Sequence, residues 1–298
     1  MPELPEVETI ARGLAKRVVG DVIESVWLGS KPEPLKSSAA EIAATLQSRK
    51  ISDVRRVGKH IVLDLAGENG SARSAQWIVH LGMTGSLQVC SLESELAKHT
   101  HAVVRLASGR ELRFVDPRRF GRLSVIEKFE APGAEPLQVS LENFFALFRG
   151  RKTPIKSALL NQKLLSGVGN IYADEALFRA GIRPRRRAAS LSRDELARLH
   201  KSLKRVLREA IKLGGSSISD YVDADGDEGF FQLKHRVYGR EGKPCLVCKA
   251  PIKRIVIGGR SSHYCPKCQK YGGSDNCRRQ AATARARAPV PTWTNVVL

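Results

Sequence analysis

Val7, Ile10, Leu14 and Val18 recur at i, i+3, i+7 and i+11, which leaves one apolar face along residues 5–20 and predicts a helix. Pro5 suits the first helical position. Glu6 and Glu8 follow at the positive end of the macrodipole, and Lys16, Arg17 and Gly20 close the segment. The period then changes. "HIVLDL", "WIVHLGM", "AVVRLASG", "ELRFV" and "RLSVI" are short β-branched runs bounded by Gly, Ser and Asp, with Ser108-Gly109 as a hairpin turn. Several strands at this spacing behind a helix predict a helix plus β-sandwich over residues 1–130. "APGAEP" begins a linker over 131–139.

The helical period returns from residue 140. "SRDEL" is a capping box with Ser192 at the cap and Glu195 three residues on. Leu196, Leu199, Leu203, Val206 and Ala210 form a buried stripe, and Gly214-Gly215 stops that helix. Its many cations are read as a solvated face. Residues 216–234 form a polar, Gly-containing loop that completes a unit over 140–234. A finger over 235–271 follows, and the pattern is then lost. "RRQAATARARAPVPTWTNVVL", with four arginines and no acid, reads as a disordered basic tail within 272–298. The fold class is α+β and multidomain, without internal repeats.

Composition narrows the function. A chain of 298 residues with 42% hydrophobic content suits two or three globular domains. No apolar run approaches the roughly 18 residues of a membrane span. The acidic start is unlike a signal peptide, so a cytoplasmic protein is expected. The net charge of +20 is uneven: 19 Lys/Arg face 17 Asp/Glu up to residue 139, and 31 face 13 beyond it. A charge this one-sided implies a polyanionic partner, nucleic acid above all. Cys245, Cys248, Cys265 and Cys268 form C-x2-C-x16-C-x2-C, the spacing of a tetrathiolate zinc site. Four thiolates leave no open position, so the zinc is structural. Cys90 and Cys277 stand apart and carry no assignment.

Three stretches then acquire chemical content. "SGVGNIYADEALFRAGI" sets Gly167, Gly169 and Asn170 before a helix, either as an ordinary turn and cap or as an approach for a phosphate. "RGRKTPIK" supplies Arg149, Arg151, Lys152 and Lys156 upstream. "DPRRFGRL" joins Arg118 to Phe120, as a packed strand end or as a wedge inserted between base steps, and Met83 in "HLGMTGSL" is a second apolar candidate. The opening "MPELPEVETI" adds a nucleophile. An amine attacking the sugar C1′ left by base excision forms a Schiff base. An α-amine titrates about 2.5 units below lysine, so roughly a few hundredfold more of it is neutral near pH 7. With Met1 removed Pro2 offers such an amine, and Glu3 beside it can move a proton on the opening sugar.

"MPELPEVET", "VGKH", "HLGMTGSL", "DPRRFG", "GVGNIYADEALF", "VYGREGKPC" and "GGRSSHYCPKCQK" occur in that order, and through them the chain resembles bacterial formamidopyrimidine-DNA glycosylases, also called 8-oxoguanine DNA glycosylase/AP lyases. The resemblance runs from residue 1 to about 270. It implies a helix–two-turn–helix domain between the sandwich and the finger, with DNA held across the cleft. It implies Pro2 as nucleophile, Glu3 as proton donor, Lys59 in β-elimination and Arg260 in δ-elimination. His99, Arg118, Arg151 and Asn170 match DNA contacts. Met83 and Phe120 fall with Arg118 on the residues that fill the void left by a flipped base, and the 216–234 loop closes over the lesion. The implied partner is double-stranded DNA with oxidised bases or abasic sites, bound by a monomer without a membrane. The implied reaction removes 8-oxoguanine and formamidopyrimidines and then nicks the strand by successive β- and δ-elimination. Zinc is the only cofactor implied. His60 departs from the pattern, standing where an aromatic often follows the lysine. Two rivals remain open: a glycosylase of the same fold for oxidised pyrimidines, and a catalytically silent zinc-finger DNA-binding protein.

Overall fold

The computed structural model describes residues 1–66, 75–217 and 228–270. The centre of the expected lesion loop (218–227) and the basic tail with Cys277 lie outside the described residues.

The opening helix α1 (Leu4–Val18) buries Val7, Ile10, Leu14 and Val18, as its periodicity requires. It starts one residue earlier than expected, so Pro5 is its second residue and Glu3 its N-cap. Glu6 closes the end by accepting the Glu3 N–H at 2.8 Å.

Two four-stranded antiparallel sheets follow. One is built from β2 (Lys50–Val57), β3 (His60–Ala66), β4 (Ala75–His80) and β8 (Arg122–Ile126), paired in that order. The other holds β1 (Ile23–Leu28), β6 (Thr100–Leu106), β7 (Arg110–Val115) and β5 (Ser86–Ser91), again in spatial order. Trp77, Leu63, Val104, Leu112 and Phe114 fill the core against α1, giving the expected sandwich. The five apolar runs became β3, β4, β6, β7 and β8, and Gly109 turns the β6–β7 hairpin with φ +76°. "WIVHLGM" ends as a strand at His80. Gly82 there takes φ +65°, and a Cβ on it would meet the Phe120 carbonyl carbon at 2.5 Å. The reading passed over β1, β2 and β5, all edge strands, whose solvated positions dilute the apolar signal. It also passed over α2 (Ala39–Leu46), capped by Ser38, whose Oγ accepts the Glu41 N–H at 3.1 Å.

The chain then docks rather than dangles: Ala134 N–H donates to the Leu164 carbonyl at 3.0 Å, and Gly133 N–H to Ser166 Oγ at 3.2 Å. Helices α3 (Leu141–Phe148), α4 (Ile155–Leu160), α5 (Asn170–Ala180) and α6 (Arg193–Lys212) enclose a second core of Phe144, Phe148, Leu159, Tyr172, Leu203 and Val206, to which α1 contributes Leu4. The capping box of α6 forms as expected, with Ser192 Oγ accepting the Glu195 N–H at 3.2 Å and Glu195 Oε2 accepting the Ser192 N–H at 2.9 Å. The finger is the ribbon β9 (Lys253–Ile257) and β10 (Arg260–Tyr264) between two cysteine knuckles, and its small core borrows Phe178 from α5. Among the described residues no helix is long and apolar enough to cross a membrane.

Candidate active site and nucleic-acid interface

Where α1 meets α5, the residues that follow exposed Met1 are buried. Pro2 and Glu3 are both enclosed, Glu3 to 4% exposure. Leu4 N–H donates to the Gly167 carbonyl at 3.0 Å, and Ile171 N–H at the start of α5 donates to Glu3 Oε1 at 3.1 Å. This corrects the phosphate reading of the glycines. The first N–H groups of α5 serve a carboxylate of the same chain, and a Cβ at Gly169 would overlap the Glu3 carboxyl carbon. Gly167, at φ +95°, lets the loop turn against Leu4. Glu3 Oε2 is buried with no hydrogen-bond partner. Burial raises Glu3 to about 7, against the pull of Lys59 and with a further push from Glu6. A carboxyl so placed exchanges a proton near neutral pH.

Lys59 occupies the β2–β3 turn and is 9% exposed. Burial lowers its ammonium pKa more than the charges of Glu3 and Glu6 hold it up, and Arg260 lowers it further. Arg260 starts β10 and is exposed. The four residues assigned to chemistry therefore come from three segments, the amino end, the β2–β3 turn and β10, and Lys59 lies near enough to Glu3 and Arg260 for both to shift it. His60, beside Lys59, packs its ring 4.8 Å from His80 and 4.7 Å from Phe129, so it fills an aromatic place.

Glu6, which enters the sequence pattern only as a helix-end charge, lies at the centre of this site. Its Oε1 accepts from the Tyr172 hydroxyl and, at 2.8 Å, from Ser216 N–H, while its Oε2 caps Glu3. It thus ties the amino end to the segment that leads into residue 217. Burial raises its pKa.

A second group of predicted residues forms an exposed platform. Met83 lies in the turn after β4 and Phe120 in the loop before β8, 45% and 50% exposed, and the Arg118 guanidinium stacks 4.7 Å from the Phe120 ring centre. Asp116, fully buried, joins the two loops. Its Oδ1 accepts from Thr84 Oγ1 at 2.6 Å and Arg118 N–H at 3.2 Å, and its Oδ2 from Gly121 N–H at 2.7 Å. Arg119 takes φ +56°, a strained left-handed position for a side chain, immediately before Phe120. Exposed His99 adjoins the platform, its carbonyl accepting the Asp116 N–H at 3.0 Å. Asn170 opens α5 and bonds to the Tyr238 hydroxyl. Arg151 is not brought to either group. It lies exposed after α3, with Nε donating to the Leu147 carbonyl at 2.6 Å.

Cys245, Cys248, Cys265 and Cys268 place their sulfurs within 4.8 Å of one another, with Cys245–Cys268 at 3.9 Å and Cys248–Cys265 at 3.4 Å. A tetrahedron with Zn–S bonds of about 2.3 Å has edges of about 3.8 Å, so the donor set fits one structural zinc and leaves no fifth ligand.

Three family models match in chain order: Formamidopyrimidine-DNA glycosylase N-terminal domain (1–123), Formamidopyrimidine-DNA glycosylase H2TH domain (132–222) and Zinc finger found in FPG and IleRS (242–270). The Formamidopyrimidine-DNA glycosylase of Solibacter usitatus is 47% identical over 274 residues, covering 91% of this chain and all of that protein. A Thermus thermophilus FPG crystal structure superposes with a TM-score of 0.79 at 42% identity, covering 91% of this chain and all of that one. A Lactococcus lactis FPG variant bound to Fapy-dG-containing DNA gives 0.81 at 33% identity, over 90% of this chain and all of that one.

Proposed function

The chain belongs to the formamidopyrimidine-DNA glycosylase family, and from that premise we propose that it excises oxidised purines from double-stranded DNA through a Schiff base on Pro2 and then cleaves the strand. It is a bifunctional DNA glycosylase and AP lyase with one structural zinc. The roles of single residues are the proposed part.

The observation that carries them is the Glu3 carboxyl, buried beside Pro2 with a pKa near neutrality and an unpartnered oxygen. While Met1 is attached the Pro2 nitrogen is an amide, so its removal precedes activity. The freed amine attacks C1′ as the bond to the base breaks, and the base leaves with the electron pair and takes up the proton that the Pro2 nitrogen sheds. Glu3 donates its proton to O4′ as the C1′–O4′ bond opens, which gives the iminium. Loss of a C2′ proton then expels the 3′ phosphate by cleavage of C3′–O3′. Loss of a C4′ proton expels the 5′ phosphate by cleavage of C5′–O5′, with the electron pair forming C4′=C5′. Addition of water to C1′ of the iminium releases the sugar fragment as an aldehyde and returns Pro2.

Lys59, depressed by burial, shuttles protons in the first elimination, and the Arg260 guanidinium stabilises the phosphate that departs in the second. Met83, Arg118 and Phe120 fill the gap when the base is everted, with His99, Arg151 and Asn170 on the DNA backbone. The protein works as a monomer in the cytoplasm, where its thiolates stay reduced.

Borohydride trapping on an 8-oxoguanine:cytosine duplex tests this, with mass mapping of the cross-linked peptide. A cross-link on Pro2 in protein lacking Met1 is expected. A cross-link elsewhere, or none from protein that binds the duplex, removes Pro2 as nucleophile on this lesion. A second reading has its own support: a Lactococcus lactis relative was crystallised with oxidised-pyrimidine DNA. Faster excision from a thymine glycol duplex than from 8-oxoguanine:cytosine would favour it.

A further inference from the structure

Lys156 of α4 and Asp174 of α5 form the most deeply buried ion pair among the described residues, and the reaction above does not use them. Both side chains are fully buried, with Nζ 2.6 Å from Asp174 Oδ1. A pair stripped of water persists only where further hydrogen bonds complete it. Those bonds all reach one strand. Lys156 Nζ donates to the Ser261 carbonyl at 2.5 Å. Asp174 Oδ2 accepts the His263 N–H at 2.8 Å, with His263 Nδ1 3.3 Å away.

Ser261 and His263 alternate along β10, so these groups lie on its edge away from β9, with which it pairs from Arg260↔Ile257 to Tyr264↔Lys253. The ribbon turns through Gly258 and Gly259, both at positive φ, a tight two-residue hairpin. Beside Asp174, Glu175 Oε1 accepts from the N–H groups of Arg236, Val237 and Tyr238 at 2.9, 2.9 and 3.0 Å. Two consecutive acids of α5 thus hold the finger, one at its entrance and one at its ribbon. The second cysteine knuckle is anchored as well, with Arg183 donating to the Gln269 and Pro266 carbonyls at 3.0 and 3.1 Å and Gln269 Nε2 to the Ile182 carbonyl at 2.9 Å, but none of these bonds reaches β10. Arg260 is the residue before Ser261, and it lies near enough to Lys59 to shift that group.

We propose that the Lys156–Asp174 pair is a positioning device for Arg260: by clamping β10 at the next residue it decides whether strand cleavage proceeds beyond the first elimination. The inference rests on the reading of Arg260 as the group that acts in the second.

The experiment compares Asp174→Asn and the apolar replacement Lys156→Met/Asp174→Leu with the parent protein, under single turnover at saturating protein. The 8-oxoguanine:cytosine duplex carries a 5′ label on the damaged strand, so a 3′ sugar remnant separates from a 3′ phosphate. Zinc content is measured on each protein. Base excision and borohydride trapping should stay within about threefold of the parent, while conversion of the sugar remnant to the 3′ phosphate slows by about tenfold or more. Equal slowing of all steps, unchanged conversion, or loss of zinc in both variants overturns the proposal, since the pair would then hold the fold or nothing. Arg260→Ala runs alongside. If it converts normally, the reading of Arg260 fails and the inference with it; if it does not, normal conversion in the pair variants defeats the inference alone.

Discussion

The buried pocket around Glu3 and the exposed platform around Phe120 are built alike and placed in opposite surroundings. Each is organised by one buried acid that gathers donors from separate segments: Glu6 from Glu3, Tyr172 and Ser216, and Asp116 from Thr84, Arg118 and Gly121. Around Glu6 the Glu3 carboxyl is enclosed, and its proton affinity rises because water is excluded. Around Asp116 the loops turn outward and leave Met83 and Phe120 in solvent. Desolvation serves proton transfer, whereas a wedge gains only if its apolar surface is still uncovered when DNA arrives. A buried acid fixes backbone in both; what it fixes differs.

The sharpest break of that comparison is Glu3→Gln. Excision should fall by about 10²–10⁴-fold in single-turnover assays. Stability should move the other way. Glu3 titrates at about 7 in the fold against 4.5 for the free group, so the native state keeps a proton that the unfolded state has released. That contribution is intact below pH 4.5 and is lost as pH rises to 7, about 3 kcal/mol in all. The variant should therefore show a flatter unfolding profile than the parent between pH 5 and 8. Superimposable profiles would contradict the burial argument.

Gly169→Ala places a methyl group against the same carboxyl, so excision should drop by about tenfold or more while duplex affinity, read by fluorescence anisotropy, is kept. Full activity would mean that the loop yields easily. On the platform, Asp116→Ala strands buried donors and should cost about 1–3 kcal/mol in chemical denaturation. It should slow excision from duplex yet spare trapping on a single-stranded abasic oligonucleotide, which has no gap to fill. Phe120→Ala should leave stability within about 0.5 kcal/mol, because the ring is half exposed. It should reproduce the same duplex-only defect, and an equal loss on single strands would remove the wedge assignment.

Where one side chain's burial repeats at a fixed period, the sequence already disclosed the element. The stripes of α1 and α6, the capping box at Ser192 and the runs of β3, β6, β7 and β8 were legible for that reason. The cysteine knuckles were legible because ligand spacing is local. Strands β1, β2 and β5 escaped because β1 and β5 bury one position each and β2 two of eight, too few to set a period, whereas β8, also an edge strand, buries alternate residues within five. The tasks of Glu6, Asp116, Lys156 and Asp174 escaped for another reason. Each has at least one partner far along the chain, Ser216 for Glu6, Thr84 for Asp116, Ser261 for Lys156 and His263 for Asp174, and nothing in one segment announces a bond made in another. Gly169 shows the limit most plainly: a glycine before a helix suggests an incoming phosphate, and only its neighbour in space shows that Glu3 fills the place.

The bond from Ile171 to Glu3 also sets an order of events during synthesis. Pro2 and Glu3 leave the ribosome well before their partners: the N–H that holds the carboxyl emerges some 170 residues later and Arg260 almost 90 residues after it. The earlier segment is thus completed by the later one, and a product truncated before residue 171 lacks the N–H that Ile171 offers to Glu3.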